Sequence, residues 1–340
     1  MPEKLMPEKS ANNAARQLTV LISSVGRRSQ LIECFRRTFS SLGLQGRILG
    51  IDTAPSLSPA AHLVDACFPI PRCTAPEFIG EVLALCAREQ VDLIIPTIDT
   101  ELPAYAAARS ALANQGVDIA LSSLDAVEIA CDKVRTHAFL VDHGIATVRQ
   151  WEGNAVLSQP EPLPFPLIVK PRRGSASHGV LKVHSEAMLR AVLSSSSDLI
   201  VQECAHGFEC TVNIFVNAAG KCICAVPHRR IEVRGGEVSK AVTLRNPHVI
   251  SVARTVAEAL PGAYGPLNMQ CFVNGDAVTV IEINARFGGG YPLAFEAGAN
   301  FPLWLLQSRL HQDIPPCFDG WKDNLTMLRY DAAVFSEAAA

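Results

Sequence analysis

Residues 281–286 read Ile281-Glu282-Ile283-Asn284-Ala285-Arg286. On an extended strand Glu282, Asn284 and Arg286 share one face, while Ile281 and Ile283 point the other way, into a core. Gln270, in Asn268-Met269-Gln270 on the preceding strand, can meet them across a sheet. A carboxylate with amide oxygens suits a hard cation that also takes phosphate oxygens and water. Arg286 adds a guanidinium fork for phosphate or carboxylate. The run Phe287-Gly288-Gly289-Gly290-Tyr291 that follows suits close backbone approach. The competing reading is the polar face of a half-solvated sheet.

Two further segments carry possible chemistry. Lys170, in Val169-Lys170-Pro171, leaves an apolar strand and can reach phosphates as a point charge. The loop Arg173-Gly174-Ser175-Ala176-Ser177-His178 has the small residues that let backbone N–H groups close over phosphates. A solvated hairpin would look the same. In Val201-Gln202-Glu203-Cys204-Ala205 a strand end can present backbone groups to an adenine edge, and Glu209, six residues after Glu203, can accept from ribose hydroxyls. Both acids are equally compatible with an ordinary surface. The segment from His228 to Lys240 reads as a basic hairpin, with Lys240 a candidate for the γ-phosphate and Arg234 for a substrate carboxylate, against solvated charge as the alternative. Ser175 and Ser177 have no paired base, so no covalent nucleophile stands out.

The elements that must position these groups follow from hydrophobic periodicity. Strands are expected at 18–23, 47–51, 92–96 and 117–121, alternating with helices at 30–41, 76–89 and 101–114. That alternation implies a parallel α/β sheet covered on both faces, with ligands at the carboxyl ends of its strands. The loop Ser23-Ser24-Val25-Gly26-Arg27-Arg28 lacks the GxGxxG pattern, which removes the dinucleotide fingerprint. Arg27 and Arg28 either meet an anionic substrate at a helix start or are solvated. The loop 97–101 either faces the same crevice or caps a helix through Asp99 or Thr100. From Ser123 the pattern changes: one helix through Asp132-Lys133 to about Asp142, a small α+β unit over 167–203, then antiparallel strands and a helix at 249–260.

Composition sets the outer bounds. The 340 residues are 49% hydrophobic and 19% charged with a formal net charge of -3, so neither disorder nor a nucleic-acid footprint is expected. No apolar run approaches the roughly 18–20 residues that span a bilayer, so no membrane partner is expected either. Residues 1–17 are polar and read as a leader rather than a signal peptide. Eleven cysteines without a CxxC pair read as reduced thiols in a cytoplasmic protein, and Cys222 and Cys224 on one strand face complete no zinc set.

Together these segments resemble the ATP-grasp superfamily over about residues 18–310, especially its carbamoyl-phosphate-synthase-like and carboxylate–amine (amino-acid) ligase branches. The resemblance implies a Rossmann-like pre-ATP-grasp domain (18–122), a small ATP-grasp lobe with a phosphate flap (123–202) and a C-terminal lobe with the metal site (203–335). It assigns Lys133 and Lys170 as nucleotide lysines, Gly174, Ser175 and Ser177 to the flap, Glu203 and Ala205 to the adenine hinge, and Glu209 to the ribose. Gln270, Glu282 and Asn284 match the magnesium ligands, with Glu282 bridging two Mg2+ ions that Mn2+ can replace. Arg286, with Lys240, matches the group that steadies the transferred phosphoryl. Arg234, Gly289 and Gly290 are the expected substrate contacts. The implied activity is ATP-dependent joining of a small carboxylate to an amine through an acyl phosphate, with release of ADP and phosphate. Activation of bicarbonate or carbamate, and a non-catalytic nucleotide-binding scaffold, remain alternatives. A homodimer is an open possibility, and His178 is a departure from the small or apolar residue common in the flap.

Overall fold

The computed structural model describes residues 17–174 and 178–336; all but the last residue of the expected leader, and the loop serines Ser175 and Ser177, lie outside them. Short apolar runs separated by amphipathic helices give five parallel strands: β1 (Leu18–Ile22), β2 (Gly46–Asp52), β3 (Ala66–Pro69), β4 (Leu93–Ile95) and β5 (Asp118–Ile119). Their order is β3-β2-β1-β4-β5. Helix Ser29–Ser41 buries Leu31, Ile32, Phe35 and Phe39, a helical spacing that matches one stripe. The edge strand β3 was not anticipated: four residues ending in proline carry no alternation to read. The expected helix at 101–114 is divided into a 3-10 turn at Asp99–Glu101 and helices Leu102–Ala107 and Arg109–Asn114.

The strand order places a switch point between β1 and β4. The chain leaves these neighbours toward opposite sides of the sheet, which opens a crevice at their carboxyl ends. Glu101 ties the two loops there together. Its carboxylate accepts from Ser23 Oγ (2.7 Å), Ser24 Oγ (2.6 Å), Thr97 N (2.6 Å) and Ile98 N (3.2 Å). It is fully buried, and burial raises its pKa against the pull of those four donors.

A four-stranded antiparallel sheet follows, in the order β6-β9-β7-β8: β6 (Gln150–Glu152), β7 (Leu167–Pro171), β8 (Leu181–Val183) and β9 (Leu199–Glu203). One face packs Trp151, Leu167, Val169 and Val201 on Leu189 and Leu193 of helix Glu186–Leu193. Strand alternation sends Ile168, Lys170 and Gln202 to the opposite face. The helix expected to run through Asp132 is broken there. Asp132 adopts an extended backbone (φ -126°, ψ 110°) and its side chain caps helix Lys133–Asp142 by accepting from Val134 N at 3.0 Å.

The third sheet is antiparallel with order β14-β13-β10-β11-β12-β15: β10 (Phe208–Val216), β11 (Cys222–Arg234), β12 (Glu237–Thr243), β13 (Gly265–Asn274), β14 (Ala277–Asn284) and β15 (Thr326–Leu328). Cys210, Val212, Ile214, Leu267, Met269 and Cys271 share one core with Val249, Ala253 and Val256 of helix Pro247–Ala259. Glu209, Thr211, Asn213, Asn268 and Gln270 alternate to the other face. Gly207 (φ +101°), at the start of β10, has no room for a side chain, because a Cβ would overlap the Val273 carbonyl. Helices Tyr291–Glu296 and Phe301–Arg309 then return to the first sheet. Phe287 lies 6.3 Å from Phe35 and 4.7 Å from Tyr291, between ring centroids, and Arg37 pairs with Glu296. A continuous core therefore fixes the crevice of the first sheet against the third.

Glu101→Ala would leave two hydroxyls and two backbone N–H groups without their acceptor beneath that crevice. The expected loss is about 3–5 kcal/mol of unfolding free energy, read from urea denaturation midpoints at constant m-value.

Candidate active site

The polar face of the third sheet is arranged in rows set by strand register. Thr211 on β10 pairs with Gln270 on β13, which pairs with Glu282 on β14. Asn213, Asn268 and Asn284 form the next row. All but Asn213 line a cleft of about 560 Å3 that also receives residues from both other sheets. Ile281 departs from expectation. The register shifts by one between Gln270 and Cys271, so Ile281 bulges out of the alternation and lines the cleft, while Ile283 stays in the core at 1% exposure.

Gln270, Glu282 and Asn284 thus bring two amide oxygens and a carboxylate to one patch, a hard-oxygen set that fits a small divalent cation sharing phosphate oxygens. In this structure the amide oxygens accept from guanidiniums: Gln270 Oε1 from Arg230 Nη1 and Asn284 Oδ1 from Arg286 Nη2, both at 3.3 Å. Arg230 also donates to Glu209 Oε1 at 2.7 Å, so the acid expected at a ribose is held by a neighbouring strand. Among the described residues no cluster of three or more His, Cys, Asp or Glu offers another metal site.

The small sheet supplies the facing wall. Lys170 is 6% exposed, and burial lowers its pKa from 10.5 to about 8, with Glu282 opposing that shift and Lys133 adding to it. Lys133 stands at the first position of its helix because Asp132 caps it, and its Nζ donates to Gly174 O at 2.9 Å. Arg172 grips both Asp132 oxygens (2.8 and 2.9 Å) and Arg173 adds a third contact at 3.2 Å. Burial would raise the Asp132 pKa, but Arg172 and the Val134 N–H hold it low. Glu203 and Ala205 line the cleft where β9 ends, beside Gln202, whose amide donates to Gln150 Oε1 at 2.7 Å.

The switch-point loops close the far end. Arg286 is bidentate to Asp99, with Nε at 2.9 Å and Nη2 at 2.6 Å. Its Nη1 donates to Phe287 O at 3.0 Å. Arg28 donates to Thr97 O at 2.8 Å and shares Glu237 with Arg329, at 3.3 and 3.1 Å. Burial would raise the Glu237 pKa, but Arg28 and Arg329 keep it low. Burial, then Arg230 and Arg329, push His228 down to about 3, so it is neutral. Its Nδ1 faces Asn213 Nδ2 at 3.3 Å, which puts the proton on Nε2, and among the described residues Nε2 has no partner. Gly288, Gly289 and Gly290 pass over this floor. A Cβ would overlap the Asn268 amide at Gly288, approach the Glu237 carboxylate at Gly289, and come 2.7 Å from His228 Nε2 at Gly290.

Lys133, Lys170, Gly174, Glu203, Ala205, Glu209, Gln270, Glu282, Asn284, Arg286, Gly289 and Gly290 therefore border one cleft. Lys240 and Arg234 do not. Lys240 points outward from β12 to Glu232 at 2.7 Å, and Arg234, half-exposed at the hairpin tip, meets Asp331 at 3.4 Å. The β11–β12 register gives the reason: the inward positions are His228 and Arg230, six and four residues before Arg234 at the hairpin end, and the register shifts beyond Arg230. Sequence reasoning named neither of these two as a cleft group, nor Glu237, nor Arg329, which lines the neighbouring cavity. The loops 23–28 and 97–101 were flagged as possible crevice walls, but nothing in the local pattern pointed to Arg329.

A family model described as PylC-like, N-terminal domain matches residues 20–120, and one described as ATP-grasp in the biosynthetic pathway with Ter operon matches residues 195–326. No curated protein matches the chain. Biotin carboxylase from Campylobacter jejuni, solved as a beta-gamma-ATP complex, is similar with a TM-score of 0.72 at 15% identity, over 92% of this chain and 75% of that one. L-amino acid ligase from Bacillus licheniformis gives 0.65 at 21%, over 87% and 75%. N5-carboxyaminoimidazole synthetase from Staphylococcus aureus, with ADP, gives 0.68 at 16%, over 88% and 78%. At such identities the similarity is one of fold.

The Lys170 shift generates a pH prediction. Between about 8 and 10.5 the unfolded chain holds a proton that the folded amine has lost, so this group makes stability rise with pH across that window and leaves it flat below. Methylation of Lys170, followed by peptide mass spectrometry, is expected to inflect near pH 8, whereas solvated lysines inflect near ~10.4. An inflection above pH ~10 would contradict burial of the amine.

Proposed function

This chain is an ATP-grasp protein with a PylC-like N-terminal domain, and from that premise we propose that it is an ATP-dependent carboxylate–amine ligase working through an acyl phosphate. The observation that carries the reading is the meeting, across one cleft, of the oxygen patch of Gln270, Glu282 and Asn284 with the amines of Lys170 and Lys133. A polyphosphate needs cations on one side and a metal-binding acid on the other, and both are here. The reading divides the chain into a first domain at 18–122, a small lobe at 123–202 and a large lobe at 203–335.

In this scheme Lys170 and Lys133 hold the nucleotide phosphates, and the Lys170 amine regains its full charge when phosphate oxygens replace the missing solvent. Glu282, Asn284 and Gln270 would hold Mg2+, which would neutralise charge at the β- and γ-phosphates. The substrate carboxylate oxygen bonds to the γ-phosphorus as the bond to ADP breaks, which converts a poor leaving group into phosphate. Arg286 keeps one Nη1–H outside its four protein contacts, and its fixed charge stabilises the transferring group. The amine nitrogen then forms the C–N bond, gives up a proton and expels phosphate. The Gly288–Gly290 backbone lets the substrate approach the floor closely. Arg230 releases Gln270 and Glu209 for the metal and the nucleotide sugar as these bind.

Glu282→Ala and Lys170→Met are each expected to lower Mg2+-dependent ATP turnover by roughly 10³ or more, with folding retained by circular dichroism. The assay is phosphate release over panels of small acids and amines, with nucleotide products separated by chromatography. ADP with phosphate is the expected pair; AMP with pyrophosphate, or wild-type turnover in both variants, would sink the reading.

A further inference from the structure

A second cavity, of about 660 Å3, lies behind the glycine end of the cleft. The two share Arg28, Glu237, Val238, Gly288 and Gly289, so a single layer of side chains and a glycine backbone separates them. With a nucleotide and a carboxylate filling the cleft, a nucleophile needs another approach to the acyl carbon, and this layer is where one adjoins.

The charge of the second cavity indicates what it takes. Arg27, Arg28 and Arg329 line it against one partly buried acid, Glu237. Glu237 already serves both Arg28 and Arg329, and Arg27, which is exposed, donates no hydrogen bond among the described residues. Glu33 and Asp331 also line the cavity, but both are exposed, and Asp331 is 93% accessible beside Arg234. Among the described residues Arg329 Nε is buried without an acceptor, and on the cleft side of the same layer so is Nε2 of the fully buried His228. Buried donors of this kind are normally satisfied, and an anionic oxygen is the partner they lack. The thirteen-residue helix Ser29–Ser41 begins here with no side-chain cap and no acid in its first turn, which adds positive potential.

We infer that the second cavity binds the acceptor substrate and selects an amine that carries a separate anionic group, a carboxylate or a phosphate, held by Arg27 with Arg28 and Arg329. Glu237 faces the ammonium end and directs it over Gly288 and Gly289 toward the cleft. This identity as the acceptor rests on the ligase reading; the binding of an anionic amine does not.

The test is thermal denaturation of the full chain at constant ionic strength with Mg-ADP in excess. The probes are glycine against glycinamide, and O-phosphoethanolamine against ethanolamine. In at least one pair the member that carries the anionic group should raise Tm saturably while the partner that lacks it does not, and the pair that responds identifies the carboxylate or the phosphate as the preferred group. Arg27→Ser, a change at an exposed residue, should weaken that response on the order of tenfold and leave the Mg-ADP shift unchanged. No difference within either pair, or a response that Arg27→Ser leaves intact, overturns the inference. Loss of the Mg-ADP shift itself would count against the ligase reading while the amine response still decides this one.

Discussion

The Arg286–Asp99 pair is the contact on which the site's geometry turns. Arg286 lies two residues past the end of the strand that carries Glu282 and Asn284, and Asp99 belongs to the loop after β4 in the first sheet. The two-point bond between planar groups fixes orientation as well as distance. It sets the oxygen-donor patch of one sheet against the switch-point crevice of another, with both partners largely buried at 12% and 14% side-chain exposure. Removing either partner alone would strand a buried charge, so the pair acts as a constraint more than as a source of net stability.

Other charges around the cleft are buried under the same rule, each with a defined counterpart. Asp132 is held by Arg172, Arg173 and its own helix start, and this is what aims Lys133 at Gly174. Arg230 lies between Glu209 and Gln270, and Glu237 between Arg28 and Arg329. Lys170 makes no ion pair among the described residues, and burial lowers its pKa to about 8 against the pull of Glu282. Among the described residues, buried donors on His228, Arg230 and Arg329 have no hydrogen-bond partner, and all three lie in the same region. Around the glycine run the backbone itself forms the surface, because Asn268, Glu237 and His228 leave no room for side chains at Gly288–Gly290.

Much of this was legible in the chain. Alternation along β13 and β14 placed Gln270, Glu282 and Asn284 on one face, because side-chain direction in a strand is a local property with period two. The βαβ spacing implied a parallel sheet and a crevice at its strand ends for the same reason: amphipathic helices and buried strands announce themselves within a dozen residues. Local reading failed where one residue of register or one break of helix mattered. Ile281 was assigned to the core, and a bulge turned it to the cleft; the helix through Asp132 was taken as continuous, and the aspartate uses its side chain to start a new one.

What the sequence determined by itself, then, was the type of each element and the face each chemical group would occupy, since both depend on near neighbours along the chain. Tertiary structure alone decided which charges would meet. Asp99 finds Arg286 across 187 positions, and Arg28 and Glu237 meet across 209. Arg329 reaches the same carboxylate from the edge strand β15, while Lys240 and Arg234 on the same hairpin turn away. Those encounters depend on how three sheets share a core, and packing of that kind leaves no periodic trace in the segments it joins.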